Sequence, residues 1–189
     1  MFDKNEYLQS IVHASCAARI IEPSTSRAFK IDDEDGIAKA IGFHAGMINK
    51  VDYFVVENND VQLIELSDLE ECIQNCHVLI EKELQQLREV KGDDITKRDE
   101  SKIIKAAWKE IKVEFCKKWS GSIAVIERLF RKTNELGDGD PSYKLLIVCK
   151  NHTDIRMLDG LKAQLSGMMG NVVVCKTETL NHVLIGPVL

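Results

Sequence analysis

The chain has 189 residues, enough for one domain of ordinary size. Its 44% hydrophobic and 29% charged residues make a globular composition, not a disordered one. No apolar run approaches the roughly 20 residues that span a bilayer, the polar start M-F-D-K-N-E-Y is no signal peptide, and a net charge of −5 argues against a nonspecific nucleic-acid coat protein. A cytoplasmic location, with no membrane partner, is the expectation.

Charge is unevenly spread. Residues 31–35 (I-D-D-E-D) are acidic, whereas residues 97–118 carry Lys97, Arg98, Lys102, Lys105, Lys109, Lys112, Lys117 and Lys118. The six cysteines form no C-x-x-C and read as reduced core thiols. Cys72 and Cys76 lie one helical turn apart with His77 beside them, but no second pair completes four zinc ligands.

In chain order, residues 4–20 place Leu8, Ile11, Val12, Cys16 and Ile20 at helical spacing, which predicts a helix stopping before Pro23. Residues 27–31 predict a short strand. Residues 36–49 predict a short helix and a loop, weakened as helix by Gly42 and Gly46.

Residues 51–66 hold two apolar runs around Glu57-Asn58-Asn59-Asp60, a hairpin signal. A two-residue turn at Asn58-Asn59 sets Glu57 opposite Asp60, Val56 opposite Val61 and Asp52 opposite Glu65. Two carboxylates then share a face with Phe54, Val56, Val61 and Leu63. Like charges directly opposite are destabilising, and a divalent cation is the commonest reason to tolerate them.

Residues 68–90 predict a long helix, with a stripe from Leu69 through Ile73, Cys76 and Ile80 to Leu87 and Val90. Ser67 or Asp68 is expected to cap its start and Gly92 its end. A second helix is predicted over residues 99–118, with Trp108, Ile111 and Phe115 on its apolar side and lysines on the other. Ser120-Gly121 is expected to break it, and Ser122 to cap a third helix over 123–136. Residues 137–141 read as loop. Strand 144–150, helix 154–165 and strand 171–176 make a βαβ unit with parallel strands. Residues 182–188 suggest an edge strand. The fold class expected is α/β: a mixed central sheet flanked by helices, one domain over 1–189 with a helical insertion over 92–136.

This order of elements, with the string D-Y-F-V-V-E-N-N-D-V-Q-L-I-E-L-S-D, resembles the PD-(D/E)XK nuclease superfamily and its restriction-endonuclease-like αβββαβ core. The resemblance covers residues 51–68 by motif and the flanks by element order. It implies that Asp52 and Glu65 bind Mg or Mn and act in catalysis, and Glu22 is the nearest match to the family's first-helix glutamate. The family lysine falls at position 67, where this chain has Ser67. Lys50, beside Asp52, is the candidate in its place. Lys82 lies roughly 20 Å along the following helix at 1.5 Å per residue, out of reach.

Bland readings stand beside these. Asp52 and Glu65 fit an exposed sheet face paired with lysines, or a remnant of a lost metal site. Lys102, Lys105, Lys109 and Lys112 fit a solvated face as well as a phosphate-contacting one. Trp108 fits core or an interhelix contact better than a stacking platform. The five histidines form no constellation, and no Gly-rich phosphate loop is present. The function expected is a degenerate nuclease-like subunit, adaptor or inhibitor that binds protein or nucleic acid in nucleic-acid processing or genome defence. An active metal-dependent nuclease and an unrelated α/β regulatory protein are the alternatives, and a homodimer is left open.

Overall fold

Alternation of apolar residues along the strands gives the sheet two buried faces, each covered differently. In the computed structural model, residues 2–14, 21–44, 46–92, 94–133, 140–167 and 172–185 are described. The strands are β1 (Leu8–His13), β2 (Glu22–Lys30), β3 (Tyr53–Glu57), β4 (Asp60–Ser67), β5 (Ser142–Cys149) and β6 (Val172–Lys176). They form one six-stranded mixed sheet in chain order, antiparallel from β1 to β4 and parallel from β4 to β6. The helices are α1 (Ile37–Ala40), α2 (Glu70–Lys91), α3 (Lys97–Ala107), α4 (Lys109–Thr133) and α5 (Ile155–Leu165).

The expected α/β class with a mixed sheet and flanking helices is what the chain adopts. Leu145, Ile147 and Cys149 of β5 join Phe54, Val61 and Leu63 in a core shared with α1 to α5. The intervening Leu146 and Val148 join Tyr53, Ile64 and Cys175 on the opposite face. Ile11 of β1, Ala28 of β2 and Leu180, from a 3-10 helix over Thr177–His182, cover that second face.

The first hairpin is where the expected helix over 4–20 fails. Lys4–Tyr7 is a 3-10 helix and Leu8–His13 is a strand paired with β2; residues 15–20 lie outside the described residues. Leu8, Ile11 and Val12 match a helical stripe, but β-branched Ile11 and Val12 also suit a strand, and a nine-residue partner decides the matter. Only Phe29 and Lys30 of β2 pair with β3. The far end instead reaches the carboxyl ends of the parallel strands. There the Lys150 ammonium donates to the His13 carbonyl (2.5 Å), and the Asn151 N–H donates to the Glu22 carboxylate (3.1 Å).

The insertion is part of the core. Ala107, Trp108, Ile111, Phe115, Val125, Ile126, Leu129 and Phe130 pack with the strands. The expected break at Ser120-Gly121 is absent, and α4 runs through it. A side chain at Gly121 would put its Cβ 1.9 Å from the Asn49 carbonyl oxygen, so glycine is what lets the helix lie against that backbone. Ser122 is not a cap. Its buried hydroxyl accepts from the Val51 N–H (2.9 Å) and donates to the Lys118 carbonyl (2.7 Å).

Elsewhere α2 starts after Leu69 with no side-chain cap, so neither Ser67 nor Asp68 caps it, while Gly92 ends it at φ +56° as expected. Its apolar stripe is buried only at the start: Ile73 and Cys76 are in the core, whereas Val90 is 83% exposed. Cys72, expected as a core thiol, is exposed. Thr96 and Asp99 form the capping box of α3, and Asp154 caps α5. Of the edge strand expected over 182–188, His182 ends a 3-10 helix and 183–185 form a turn instead, while 186–188 lie outside the described residues, as do 137–139 of the expected loop.

Candidate functional site

The β3–β4 hairpin has the expected register. Glu57 pairs with Asp60, Val56 with Val61 and, at the far end of the ladder, Tyr53 with Ile64. Asn58 at φ +54° makes the two-residue turn. Asp52 lies one residue beyond the ladder. Its carbonyl accepts from the Ile31 N–H (2.8 Å), and its carboxylate accepts from the Leu66 N–H (2.7 Å). The carboxylates of Asp52 and Glu65 are thereby neighbours on the helix-covered face.

Glu65 is 2% exposed, and the surroundings account for its state. Its Oε1 receives the ammonium of Lys118 and the hydroxyl of Ser67 (3.2 Å). Its Oε2 is buried without a hydrogen-bond partner. Burial, and then the neighbouring Asp52, push its carboxyl up to about 8, with Lys118 and Ser67 pulling part of the way back. Asp52 is also held above the usual carboxylate range, chiefly by burial, against the Leu66 N–H and Lys118. At Lys118, burial alone would lower the pKa; Glu65, Glu114 and Asp52 outweigh it and hold the ammonium above its ordinary value. The cluster therefore keeps one more proton near neutrality than three separated groups would.

The lysine at the pair is the one the sequence reading passed over. Lys50 bonds Asp32 (2.6 Å), not Asp52 or Glu65. Lys118 comes from the middle of α4, one turn before the Ser122 clamp, and also meets Glu114 (3.4 Å). A signal for it exists: Lys118 falls in the buried stripe Ile111, Phe115, Ser122, Val125 and Leu129, at steps of three and four. Ser67 belongs to the site as a donor to Glu65. Glu22 is elsewhere, bound to the Asn151 N–H. His152 meets Glu70 (3.3 Å), away from the pair.

A cavity of about 380 Å³ reaches Lys118, the residue that meets Glu65. Lys118 and Lys50 line it, together with Asp32, Lys39 and Phe43.

The lysine face divides. Lys105 and Lys112 border one depression beside Gln164 of α5, while Lys102 borders another beside Leu87 and Val90 of α2. Lys109 is exposed. Trp108, on the same helical stretch as these lysines, is 3% exposed and lies in the core, edge-on to His77, so it offers no contact surface beside them.

Among the described residues, no group of three or more His, Cys, Asp and Glu side chains is placed to hold a metal ion. Two carboxylates are a sufficient protein set for Mg²⁺, which keeps waters and takes substrate phosphate oxygens in its other positions. Among the described residues, no helix is long and apolar enough to cross a membrane. No family model matches the chain, and comparisons with curated proteins and with solved structures return no match.

Proposed function

We propose that this chain is a divergent PD-(D/E)XK-type nuclease whose lysine is supplied by Lys118 of α4, cleaving phosphodiester bonds of DNA or RNA with Mg²⁺ or Mn²⁺. The observation that carries the proposal is the Lys118 ammonium on Glu65 Oε1 beside Asp52. Ser67 was the strongest reason to expect lost catalysis, and a lysine at the same carboxylate removes it.

The residues fit a divalent cation. Glu65 presents a buried oxygen without a partner, and both carboxyls are held up where a cation would draw them down. Asp52 and Glu65 would hold the ion, which supplies Lewis-acid pull on a phosphoryl oxygen and a more acidic water. Leu66 N–H fixes the Asp52 carboxylate, and the Ser67 hydroxyl fixes Glu65. Lys118, released from Glu65, stabilises negative charge developing on the phosphate. Exposed Lys102, Lys105 and Lys109 and partly buried Lys112 fit contacts to backbone phosphates farther out, which position without reading sequence.

Purified protein incubated with single-stranded and duplex DNA and RNA should cleave one of them in Mn²⁺ and not in EDTA. Asp52→Asn and Lys118→Met should each lower the rate by about 100-fold or more. Absence of cleavage on every substrate, with no calorimetric response to Mn²⁺, sinks the proposal.

A second reading, a binding subunit in nucleic-acid processing or defence, is favoured by the exposed side of α2, where Val78 is 64% and Val90 83% exposed. On that reading Asp52→Ala leaves function intact, and charged residues at Val78 and Val90 abolish partner binding.

A further inference from the structure

The cavity that reaches Lys118 has a composition that phosphate chemistry alone does not explain. It carries three ammonium groups (Lys39, Lys50, Lys118) and three carboxylates (Asp32, Asp33, Glu34). Each ammonium already has a carboxylate partner: Glu34 for Lys39, Asp32 for Lys50 and Glu65 for Lys118. A lining balanced in charge gives little pull on a bare phosphate. It does offer both acceptors and donors, which the edge of a nucleobase requires.

Phe43 is the aromatic member of the wall. Its ring carries the guanidinium of Arg128 at 5.0 Å from the centroid. Gly42 at φ +95° sits under that guanidinium, where an added Cβ would come 3.4 Å from it. Phe43 is therefore braced by α4, the helix that also delivers Lys118. The volume of about 380 Å³ falls in the small-ligand range, with room for one nucleotide and not for a base pair with its two backbones.

We infer that this cavity is a subsite for a single unpaired nucleotide, its base against Phe43 and its phosphate towards Lys118. Because Lys118 both lines the subsite and meets Glu65, the inference rests on the nuclease reading and narrows the substrate to single-stranded nucleic acid. The base supplies most of the affinity, since the charge-balanced wall does not.

The test is binding of AMP, CMP, GMP and UMP in EDTA, followed by calorimetry or ligand-observed NMR, with ribose 5-phosphate as the ligand lacking a base. Because no divalent ion is present, the outcome is independent of whether cleavage occurs. At least one nucleotide should bind about 10-fold more tightly than ribose 5-phosphate, as expected for one base–aromatic stack. Phe43→Leu, which keeps apolar volume, should weaken that nucleotide about 10-fold, and Phe43→Tyr should hold it within about 3-fold. No nucleotide binding at millimolar concentration overturns the inference. So does equal binding of ribose 5-phosphate, or a leucine variant that binds like wild type while remaining folded by circular dichroism.

Discussion

Replacing Glu65 by glutamine isolates what the buried carboxylate costs the fold. Glutamine keeps the shape and can accept from Lys118 and Ser67, but it never ionises. In the wild type the Glu65 carboxyl sits at about 8, against an ordinary value of 4.5. The folded state therefore keeps a proton that the unfolded chain has lost. Its contribution to stability is complete below 4.5 and is lost as pH rises through about 8, a span worth at most about 5 kcal/mol at 1.36 kcal/mol per pH unit. His13 acts in the opposite direction at lower pH. Burial, then Lys150, lowers its pKa from 6.5 to about 4, so stability falls as pH drops through that window. His13 is common to the wild type and the variant, so its contribution drops out when the two are compared. Between pH 6.5 and 8 the wild type should lose about 2 kcal/mol that Glu65→Gln does not lose. Urea unfolding of both proteins across that interval, in EDTA, measures the difference directly. Mn²⁺ should flatten the wild-type curve and leave the variant unchanged, because only the ionised carboxylate gains from the cation. Parallel curves for the two proteins would falsify the account of Glu65 as a proton-holding buried acid.

Three more expectations follow from named contacts. Lys118→Met takes away the nearest cation, so Glu65 should hold its proton to still higher pH and the alkaline loss of stability should shift upward in urea titrations. Ser122→Ala strips the buried Val51 N–H of its acceptor and should cost about 1–3 kcal/mol, read as a lower urea midpoint at unchanged slope. His13→Gln removes a buried ring that must stay neutral; between pH 6.5 and about 4 its stability should fall less steeply than the wild type's, by up to about 3 kcal/mol.

What the sequence made legible was local. The turn at Asn58-Asn59 was enough to set the hairpin register, because a two-residue loop leaves only one pairing. The βαβ unit and the Gly92 terminus were readable for the same reason: each depends on patterns within a short stretch of chain. The misreadings involve partners far away. Residues 8–13 became a strand because β2 pairs with them, and Gly121 stayed helical because Asn49 lies against it. Glycine inside a helix costs about 1 kcal/mol relative to alanine, which a close backbone contact readily offsets. Lys118 was not legible from the hairpin because its pairing with Glu65 spans 53 positions.

The long-range pairing also explains why Ser67 and Lys118 belong together. A lysine at 67 would approach Glu65 from the same strand, two residues on, and could be held by the sheet alone. A lysine on α4 can reach Glu65 only if the helix keeps its height and rotation against the hairpin. Gly121 sets the approach by admitting the Asn49 carbonyl, and Ser122 sets the height by joining Val51 N–H to the Lys118 carbonyl. Ser67 then takes the smaller task of fixing the Glu65 carboxylate that Lys118 meets. The helical insertion is thus the element that completes the carboxylate pair and braces Phe43 through Arg128. Residues 49–51, α4 and the strand end at Glu65 must keep their relative placement for either role, so a substitution loosening α4 should disturb the pair and the cavity together.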